Sequence, residues 1–263
     1  MERLLVIKIG GNIIDDEIKL ASFMAEFVQL AGKKILVHGG GKLATELAEK
    51  MGVEQRLIDG RRITDAETLR IVTMVYAGYI NKNIVARLQS QRIPCPAIGI
   101  SGADAAILKA HKRVHPTIDY GFVGDIDEVN SAALEKLLHS GWTPVIAPLT
   151  SDAEGQLLNT NADTIAQEIA RAMSSSYDTQ LVYSFEKNGV LLDATDESTV
   201  IATINPAEYR KLKDEKKIFA GMIPKIDNAF AALNSGVQKV IIGKAEQLQA
   251  LISQSAGTTI TNE

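Results

Sequence analysis

The sequence predicts an α/β fold: an open αβα sandwich with a mainly parallel sheet, helices on both faces and two lobes. Short apolar runs alternate with segments of helical periodicity through most of the chain. The runs are continuously apolar, which is typical of strands that are buried on both sides. No internal repeat or long linker interrupts the alternation, so we expect one continuous sheet.

The individual elements have clear patterns. LLVIKI at 4–9 and KILVH at 34–38 are predicted strands, and helical spacing follows each of them, at 17–31 and at 43–51. Further predicted strands are PAIGI, TPVIAPL, TQLVYSF and KVIIG, and further predicted helices are DTIAQEIARAM and AEQLQALI.

Two helix starts carry capping signals. Thr64 and Glu67 have the spacing of a capping box, which predicts a long helix from that point to about Leu88. Asn205 followed by Pro206 predicts the cap and first turn of a charged helix.

Composition excludes several classes of function. A net charge of −4 over 263 residues argues against a nucleic-acid binder with a basic face. Cys95 is the single cysteine, so neither a disulfide framework nor a cysteine metal site is expected. His111 and His115 have the spacing of metal ligands on a helix, but Pro116 breaks a helix there, and we predict no metal site. The first apolar run is too short for a membrane span or signal peptide, so we expect no membrane contact and a cytoplasmic location.

The segment LVHGGGKLATELAEK, residues 36–50, has the composition of a phosphate-binding loop between a strand and a helix. It lacks the first glycine and the Ser or Thr of a Walker loop. Gly39, Gly41 and Ala44 match a dinucleotide fingerprint, for which Asp59 is the one candidate acidic partner. A glycine turn that serves only strand–helix packing is a second interpretation of this segment taken alone.

Two further segments favour a site for a polyanion. KIGG places Lys8 inside a predicted strand and Gly10 and Gly11 directly after it. A lysine in a buried strand needs a partner, so we expect its ammonium group in the cleft at the carboxyl edge of the sheet. In AGMIPKIDNAF, Gly221 precedes a helix and Lys225 follows one turn later.

Together these segments resemble the amino-acid kinase family, which is the carbamate kinase-like superfamily. The resemblance covers nearly the whole chain, and its most specific parts are GQLLNTNAD and GMIPK. It implies a lobe for an acyl-amino acid, 1–175, and a nucleotide lobe, 176–263, on a single continuous sheet. Other matching segments are KIGG, VHGGG, GRRITDAETL, INKNIVA, IGISGADA and YGFVGDIDEVN.

The resemblance implies a reaction. The γ-phosphoryl group of ATP is expected to move to the γ-carboxylate of N-acetyl-L-glutamate or a related N-acyl-L-glutamate, as in arginine biosynthesis. A glutamate carboxylate has a pKa of about 4.3, so it is an ionised nucleophile at neutral pH and needs no general base. Catalysis is then positioning and electrostatics, with Mg²⁺ arriving on the nucleotide phosphates.

The resemblance also assigns residues to roles. The catalytic residues are expected to be Lys8, Lys225 and Asp163, although Asp163 could instead be only the N-cap of its helix. The residues expected to bind the acyl-amino acid are Gly40, Gly41, Arg62 and Asn159. The residues expected to contact the nucleotide are Gly10, Gly11, Glu186, Gly189, Gly221 and Met222.

Departures from the family pattern leave the substrate and the reaction open. FEKNGV stands where relatives carry an acid–aliphatic pair, and SGADA replaces an SGKDG-like segment, so an N-succinyl group could take the place of N-acetyl. Another reaction within the superfamily, a non-catalytic nucleotide sensor and an NAD-dependent oxidoreductase are also compatible with the sequence.

The helix at 64–88 is the expected interface of a homodimer. Its apolar positions are Ile71, Met74, Val75, Tyr79 and Ile80. Because the first strand begins by Leu4, we expect no additional N-terminal helix of the kind that arginine-sensitive relatives carry. The expected protein is therefore a homodimer that arginine does not inhibit.

Overall fold

The computed structural model describes residues 1–58, 60–193, 195–215, 217–218 and 222–262. The strands are β1 Arg3–Ile9, β2 Lys33–His38, β3 Leu57–Ile58, β4 Arg61–Arg62, β5 Ala97–Ser101, β6 Leu108–Lys112, β7 Gly124–Val129, β8 Thr143–Ala147, β9 Leu149–Ser151, β10 Leu157–Asn159, β11 Asp178–Phe185, β12 Thr203–Ile204, β13 Lys239–Lys244 and β14 Thr258–Ile260. The helices are α1 Gly11–Ile14, α2 Glu17–Gln29, α3 Gly41–Lys50, α4 Ala66–Thr73, α5 Asn81–Gln89, α6 Ser131–His139, α7 Ala162–Met173, α8 Pro206–Asp214, α9 Ile223–Asn234 and α10 Leu248–Ile252.

The main sheet has eight strands in the order β12-β14-β13-β11-β1-β2-β8-β5. The six strands from β13 to β5 run parallel, and β14 is antiparallel to β13. A second sheet has the strand order β10-β9-β6-β7, and β3 and β4 form a separate hairpin. In the chain, β6 and β7 precede β8, and β9 and β10 follow it. The predicted open, mainly parallel sheet is confirmed.

Side chains of β1 alternate between two hydrophobic cores, one on each face of the main sheet. Leu4 and Val6 pack in the core that contains α6, α7, α8 and α9. Leu5, Ile7 and Ile9 pack in the core that contains α2, α3, α4 and α5. Alternate residues of a strand point to opposite faces, so a strand buried on both faces must be apolar at nearly every position. This confirms the αβα sandwich.

The long helix after residue 64 begins one residue later than the sequence predicts. Asp65 is the N-cap and accepts from the backbone N–H of Thr68 at 2.7 Å. The hydroxyl of Thr64 instead donates to the carbonyl of Arg62 at 3.0 Å and accepts from the side chain of Asn159 at 3.0 Å. The predicted capping box of Thr64 and Glu67 is therefore wrong, because the Thr64 hydroxyl is already bonded elsewhere.

The middle of this long helix has π-helical geometry. The segment Met74–Ile80 separates α4 from α5 without interrupting the helical path. π-helical turns are rare and occur frequently at functional sites. Nothing in the sequence pattern indicated this segment, and Tyr76 within it is buried.

The predicted start of the helix at Asn205 and Pro206 is confirmed. Asn205 caps α8 with a complete capping box that includes Glu208, and Pro206 lies in the first turn. The structure has no helix within the described residues that is long and apolar enough to cross a membrane.

The SGADA segment contains two alanines in the left-handed region. Ala105 has φ of +51° and Ala106 has φ of +48°. This region costs a residue with a side chain about 1–2 kcal/mol, whereas glycine adopts it freely. Ala105 is exposed, so its methyl group contributes little packing to offset that cost.

We expect Ala105→Gly to raise the free energy of unfolding by roughly 0.5–1 kcal/mol, because relief of the left-handed strain exceeds the added entropy of the unfolded chain. Urea unfolding measures the change. Ala103→Gly is the matched control, since Ala103 has an ordinary φ of −71° and glycine there should destabilise. Equal destabilisation by both variants would contradict the strain at Ala105.

Candidate active site

A cavity lies at the carboxyl ends of β1 and β2, where the two glycine turns meet. Open parallel sheets bind ligands at this edge. Seven residues assigned to the site from the sequence line the cavity: Lys8, Gly11, Gly40, Gly41, Arg62, Asn159 and Asp163. Its other lining residues include Gly39, Leu57, Gly60, Arg61, Tyr76 and Val123.

The carboxylate of Asp163 lies between two lysines that come from distant parts of the chain. Lys8 Nζ lies 2.7 Å from Asp163 Oδ1, an ion pair without good hydrogen-bond angles. Lys225 Nζ donates to Asp163 Oδ2 at 3.3 Å. Lys225 does not line the cavity itself but reaches it through this contact. The two ammonium groups and one carboxylate leave a net charge of +1.

Asp163 is not the cap of its helix. Asn161 caps α7 and accepts from the backbone N–H groups of Asp163 and Thr164. This removes the possibility that Asp163 serves only as an N-cap. The α7 helix instead carries the Asp163 carboxylate to the two lysines from its first turn.

The pKa of Asp163 reflects opposed effects. Burial raises the pKa of this carboxyl group, but the ammonium groups of Lys8 and Lys225 outweigh burial and hold the pKa at about 2. Asp163 is therefore ionised across the neutral range, and its charge orders both lysines.

The first turn of α3 offers free backbone N–H groups to the cavity. Gly40 precedes the helix with φ of +144° and provides no side-chain cap. A Cβ atom at Gly40 would collide with Ile80 Cδ1, so glycine is needed for packing as well as for conformation. Gly41 begins the helix beside the Arg62 guanidinium group. An uncapped helix N-terminus of this kind favours an anion.

His38 holds the glycine turn from behind. Its Nδ1 lies 2.8 Å from the Gly39 carbonyl, which can only accept, so Nδ1 carries the proton. Its Nε2 then accepts from the side-chain amide of Asn81 at 3.2 Å. Burial lowers the pKa of His38 to about 4, so the ring is neutral at pH 7. The sequence did not reveal Asn81 as the partner of His38.

Arg62 is buried and bonded to the base of the α3 turn. Its Nη2 donates to the Gly41 carbonyl at 2.7 Å and to the Thr45 hydroxyl at 2.8 Å, and its Nη1 donates to Gln55. These contacts fix the guanidinium plane but use several of its donors. Asn159 lies at the end of β10, and its amide donates to the Thr64 hydroxyl. Thr45 and Gln55 are supporting residues that the sequence did not reveal.

The residues predicted for the nucleotide are more scattered. Gly10 donates its N–H to the Ser184 carbonyl at 3.3 Å, and the side chain of Asn12 donates to Glu186 Oε1 at 3.2 Å. The buried hydroxyl of Ser184 has no hydrogen-bond partner among the described residues, a feature that the sequence did not indicate. These contacts place Glu186 beside the turn that follows β1.

Three other predicted nucleotide residues lie outside the cavity lining or outside the described residues. Gly189 is a packing position, because a Cβ atom there would lie 2.7 Å from Thr258 Oγ1. Met222 precedes α9 and packs partly against the core. Gly221 lies outside the described residues, as does Asp59, the candidate acid of a dinucleotide site.

The cleft has a net positive charge, is lined by glycines and lies at the carboxyl edge of a parallel sheet. These features are typical of the α/β proteins that bind phosphate groups. The model of the amino acid kinase family matches residues 3–244. The chain belongs to the amino acid kinase family.

The sequences of two curated relatives match this chain over nearly their whole length. An acetylglutamate kinase of Cytophaga hutchinsonii is 55% identical, and the alignment covers 97% of this chain and 96% of that protein. An acetylglutamate kinase of Bacteroides fragilis is 49% identical, with 98% of this chain and 97% of that protein covered.

Solved structures share the fold. N-acetylglutamate synthase from Neisseria gonorrhoeae superposes with a TM-score of 0.83 at 23% identity, over 100% of this chain and 62% of that chain. This chain thus spans less than two thirds of the synthase. Carbamate kinase from Giardia superposes with a TM-score of 0.66 at 13% identity, over 98% of both chains. At these identities the likeness concerns the fold alone.

The Asp163 carboxylate should make stability depend on pH in acid. Its pKa is about 2 when folded and about 3.9 when unfolded, so its contribution is complete only above about pH 5. Most of that contribution is lost as the pH falls from about 4 to about 2. We expect the free energy of unfolding of the wild type to fall more steeply over this range than that of Asp163→Asn.

Urea unfolding at pH 4, 3 and 2 measures this difference, with Asp152→Asn as the control at an incompletely buried aspartate that contacts neither lysine. Equal slopes for the wild type and Asp163→Asn would contradict the depressed pKa.

Proposed function

We propose that this protein transfers the γ-phosphoryl group of ATP to the γ-carboxylate of N-acetyl-L-glutamate or a related N-acyl-L-glutamate, the phosphorylation step of arginine biosynthesis. The observation that carries the proposal is the meeting of Lys8 and Lys225 on the mostly buried carboxylate of Asp163, beside the glycine turn. Support also comes from membership of the family and from two relatives named acetylglutamate kinase at 55% and 49% identity.

The proposed reaction balances without a general base. An oxygen of the ionised γ-carboxylate forms a bond to the γ-phosphorus, and the bond from that phosphorus to the β–γ bridging oxygen breaks. The products are ADP and N-acetyl-L-glutamyl 5-phosphate, and no proton must be removed from the nucleophile. The remaining difficulty is the repulsion between the carboxylate and the triphosphate.

The two lysines would reduce that repulsion. Lys8 lines the cavity and would lie between the carboxylate and the phosphate that it attacks. Lys225 would stabilise charge on the transferring group and the leaving oxygen from the other lobe. Asp163 compensates only one of the two positive charges, so the cluster retains an attraction for the charge that develops in the transition state.

The acyl-amino acid would occupy the lobe formed by residues 1–175. The N–H groups at Gly40 and Gly41 and the guanidinium group of Arg62 would bind the α-carboxylate. The side-chain amide of Asn159 would pair with the amide of the N-acyl group. Free glutamate carries an ammonium group in place of that amide and would meet hydrogen-bond donors there.

The nucleotide would occupy the lobe formed by residues 176–263, with Gly10, Gly11, Glu186 and Met222 at its edge. Among the described residues, no group of three or more His, Cys, Asp or Glu side chains could hold a metal ion. Asp163, the one carboxylate among the described cavity residues, is already paired with lysines. Mg²⁺ would arrive on the nucleotide phosphates and neutralise part of their charge. We place the reaction in the cytoplasm.

An assay of ADP release tests the proposal over N-acetyl-L-glutamate, free glutamate, aspartate, UMP and carbamate, with hydroxylamine trapping of the acyl phosphate. We expect ADP and trapped product with N-acetyl-L-glutamate and at least tenfold less turnover with free glutamate. Equal turnover of free glutamate, or product from UMP or carbamate alone, would refute the assignment.

Lys8→Ala and Lys225→Ala should each lower kcat by roughly 10²–10³, the scale for losing one preorganised charge-stabilising donor. The double variant should lose less than the product of the single losses, because both lysines act on the same charge. Steady-state kinetics and thermal unfolding measure both effects. Lys211→Ala, at an exposed position in α8, is the control. Wild-type kcat in either cavity variant would contradict the mechanism.

We extend the proposal to a homodimer. Of the five apolar positions expected at the interface, Ile71, Val75 and Ile80 are buried in the core. Only Met74 and Tyr79 are exposed, at 48% and 64%. They line an apolar groove with Leu43 and Leu47 from α3. We propose that a second copy of this chain covers that groove.

Light scattering should show a dimer for the wild type and a monomer for the double variant Met74→Lys/Tyr79→Lys, because two buried ammonium groups would face each other across a two-fold axis. Ile93→Lys changes another exposed apolar residue away from the groove and should remain dimeric. A wild-type monomer, or a dimer that persists in the double variant, would exclude this interface.

A further inference from the structure

Arg61 is a cavity cation that no side chain of the described residues pairs with. Its side chain lines the same cavity as Lys8, Arg62 and Asn159, and it is half-buried. No hydrogen bond or ion pair involves its guanidinium group anywhere in the described part of the chain. Arg62, the adjacent residue in β4, has three such contacts. A half-buried arginine normally binds an anion, so the donors of Arg61 are available to a ligand.

The surroundings of Arg61 add positive charge. Burial lowers the pKa of Arg61, and the neighbouring guanidinium group of Arg113 lowers it further, although arginine remains charged at neutral pH. Asp125 is the nearby acid, but its Oδ1 is paired with Arg113 Nη1 at 2.7 Å. Two guanidinium groups and one carboxylate leave a net charge of +1. Moreover, the buried Nε of Arg113 has no hydrogen-bond partner among the described residues.

The other polar groups of an N-acylglutamate already have partners in the proposed function. The γ-carboxylate faces Lys8, the α-carboxylate faces Arg62 and the first turn of α3, and the amide faces Asn159. The part of the substrate that remains is the acyl group. Arg61 is the one charged residue of the described cavity lining that has no assigned group, and the apolar Leu57 and Val123 line the same cavity. A methyl group, as in N-acetyl, would leave the Arg61 guanidinium group unpaired.

We propose that the cavity prefers an N-acyl-L-glutamate whose acyl group ends in a carboxylate, and that Arg61 binds this terminal carboxylate. The inference rests on the proposed function, because it places the acyl group in the same site. The chemical class is an N-acylglutamate made from a dicarboxylic acid, with a chain long enough to pass Leu57 and Val123. Arg61 is then a specificity-determining residue that contacts no reacting atom.

The wild-type enzyme tests this with three substrates: N-acetyl-, N-succinyl- and N-succinamoyl-L-glutamate. The succinamoyl group has nearly the size of succinyl but ends in a neutral amide, so the comparison isolates the charge. We expect kcat/KM for N-succinyl to exceed both others by about tenfold or more, which is the usual scale for a charge-assisted hydrogen bond to a half-buried arginine. Equal values for succinyl and succinamoyl would overturn the proposal.

Three variants test whether Arg61 causes the preference for the succinyl group: Arg61→Leu, Arg61→Lys and the control Arg56→Leu. Arg61→Leu should abolish the preference for succinyl over succinamoyl, and Arg61→Lys should retain part of it. Arg56 is exposed in the same segment and does not line the cavity, so Arg56→Leu should keep the wild-type preference. The comparison of substrates on the wild type remains decisive if the Arg61 variants fold poorly.

Two outcomes separate the inference from the proposed function. If Arg61→Leu lowers kcat/KM for N-acetyl and N-succinyl by the same factor, Arg61 binds the shared α-carboxylate, and the inference is wrong while the kinase assignment stands. If the wild type phosphorylates none of the three acylglutamates, the proposed function itself has failed.

Discussion

The pairing of one mostly buried carboxylate with two lysines is the interaction on which the site depends. Lys8 lies in the central strand β1, Lys225 in the first turn of α9, and Asp163 in the first turn of α7. Three elements from the two ends and the middle of the chain are thereby fixed around one point. Because one negative charge cannot balance two positive ones, the cluster attracts a further anion. In the proposed function, structural pairing and phosphate binding therefore use the same three side chains.

The position of β1 explains why this cluster forms there. The strand lies between β11 and β2 at the centre of a parallel sheet, so its carboxyl end opens into the cleft. Its glycine turn adjoins the turn after β2, and the backbones approach so closely that a Cβ atom on Gly39 would lie 3.6 Å from the Gly11 nitrogen. His38 and Asn81 anchor the second turn to the sheet. Because the His38 ring is neutral at pH 7, it does not add to the net charge of +1 of the cluster formed by Lys8, Lys225 and Asp163.

Periodicity and the chemistry of single residues predicted much of the fold, because strands buried on both faces are apolar at nearly every position. The placement of Lys8 in a cleft followed from the cost of burying a lysine without a partner. Choices between adjacent residues were not predictable. Thr64 and Asp65 are both good caps, and only the tertiary contact of Thr64 with Asn159 decides for Asp65. Likewise, an apolar stripe cannot show that Ile71 faces the core while Tyr79 faces outward.

The same limit applies to substrate specificity. In the proposed function, the motifs that identify the family surround the transferring phosphoryl group and the α-carboxylate, and neither of these changes with the acyl group. The inferred site of the acyl group is instead the hairpin of β3 and β4, where Arg61 and Arg62 are adjacent in sequence but differ in environment. Arg62 is buried and bonded to Gly41, Thr45 and Gln55, whereas Arg61 is half-buried and pairs with none of the described residues. A pattern of residue types cannot distinguish two neighbouring arginines. Their hydrogen bonds do, since Arg61 uses none of its donors within the described part of the chain and can offer its whole guanidinium group to the acyl end of the ligand.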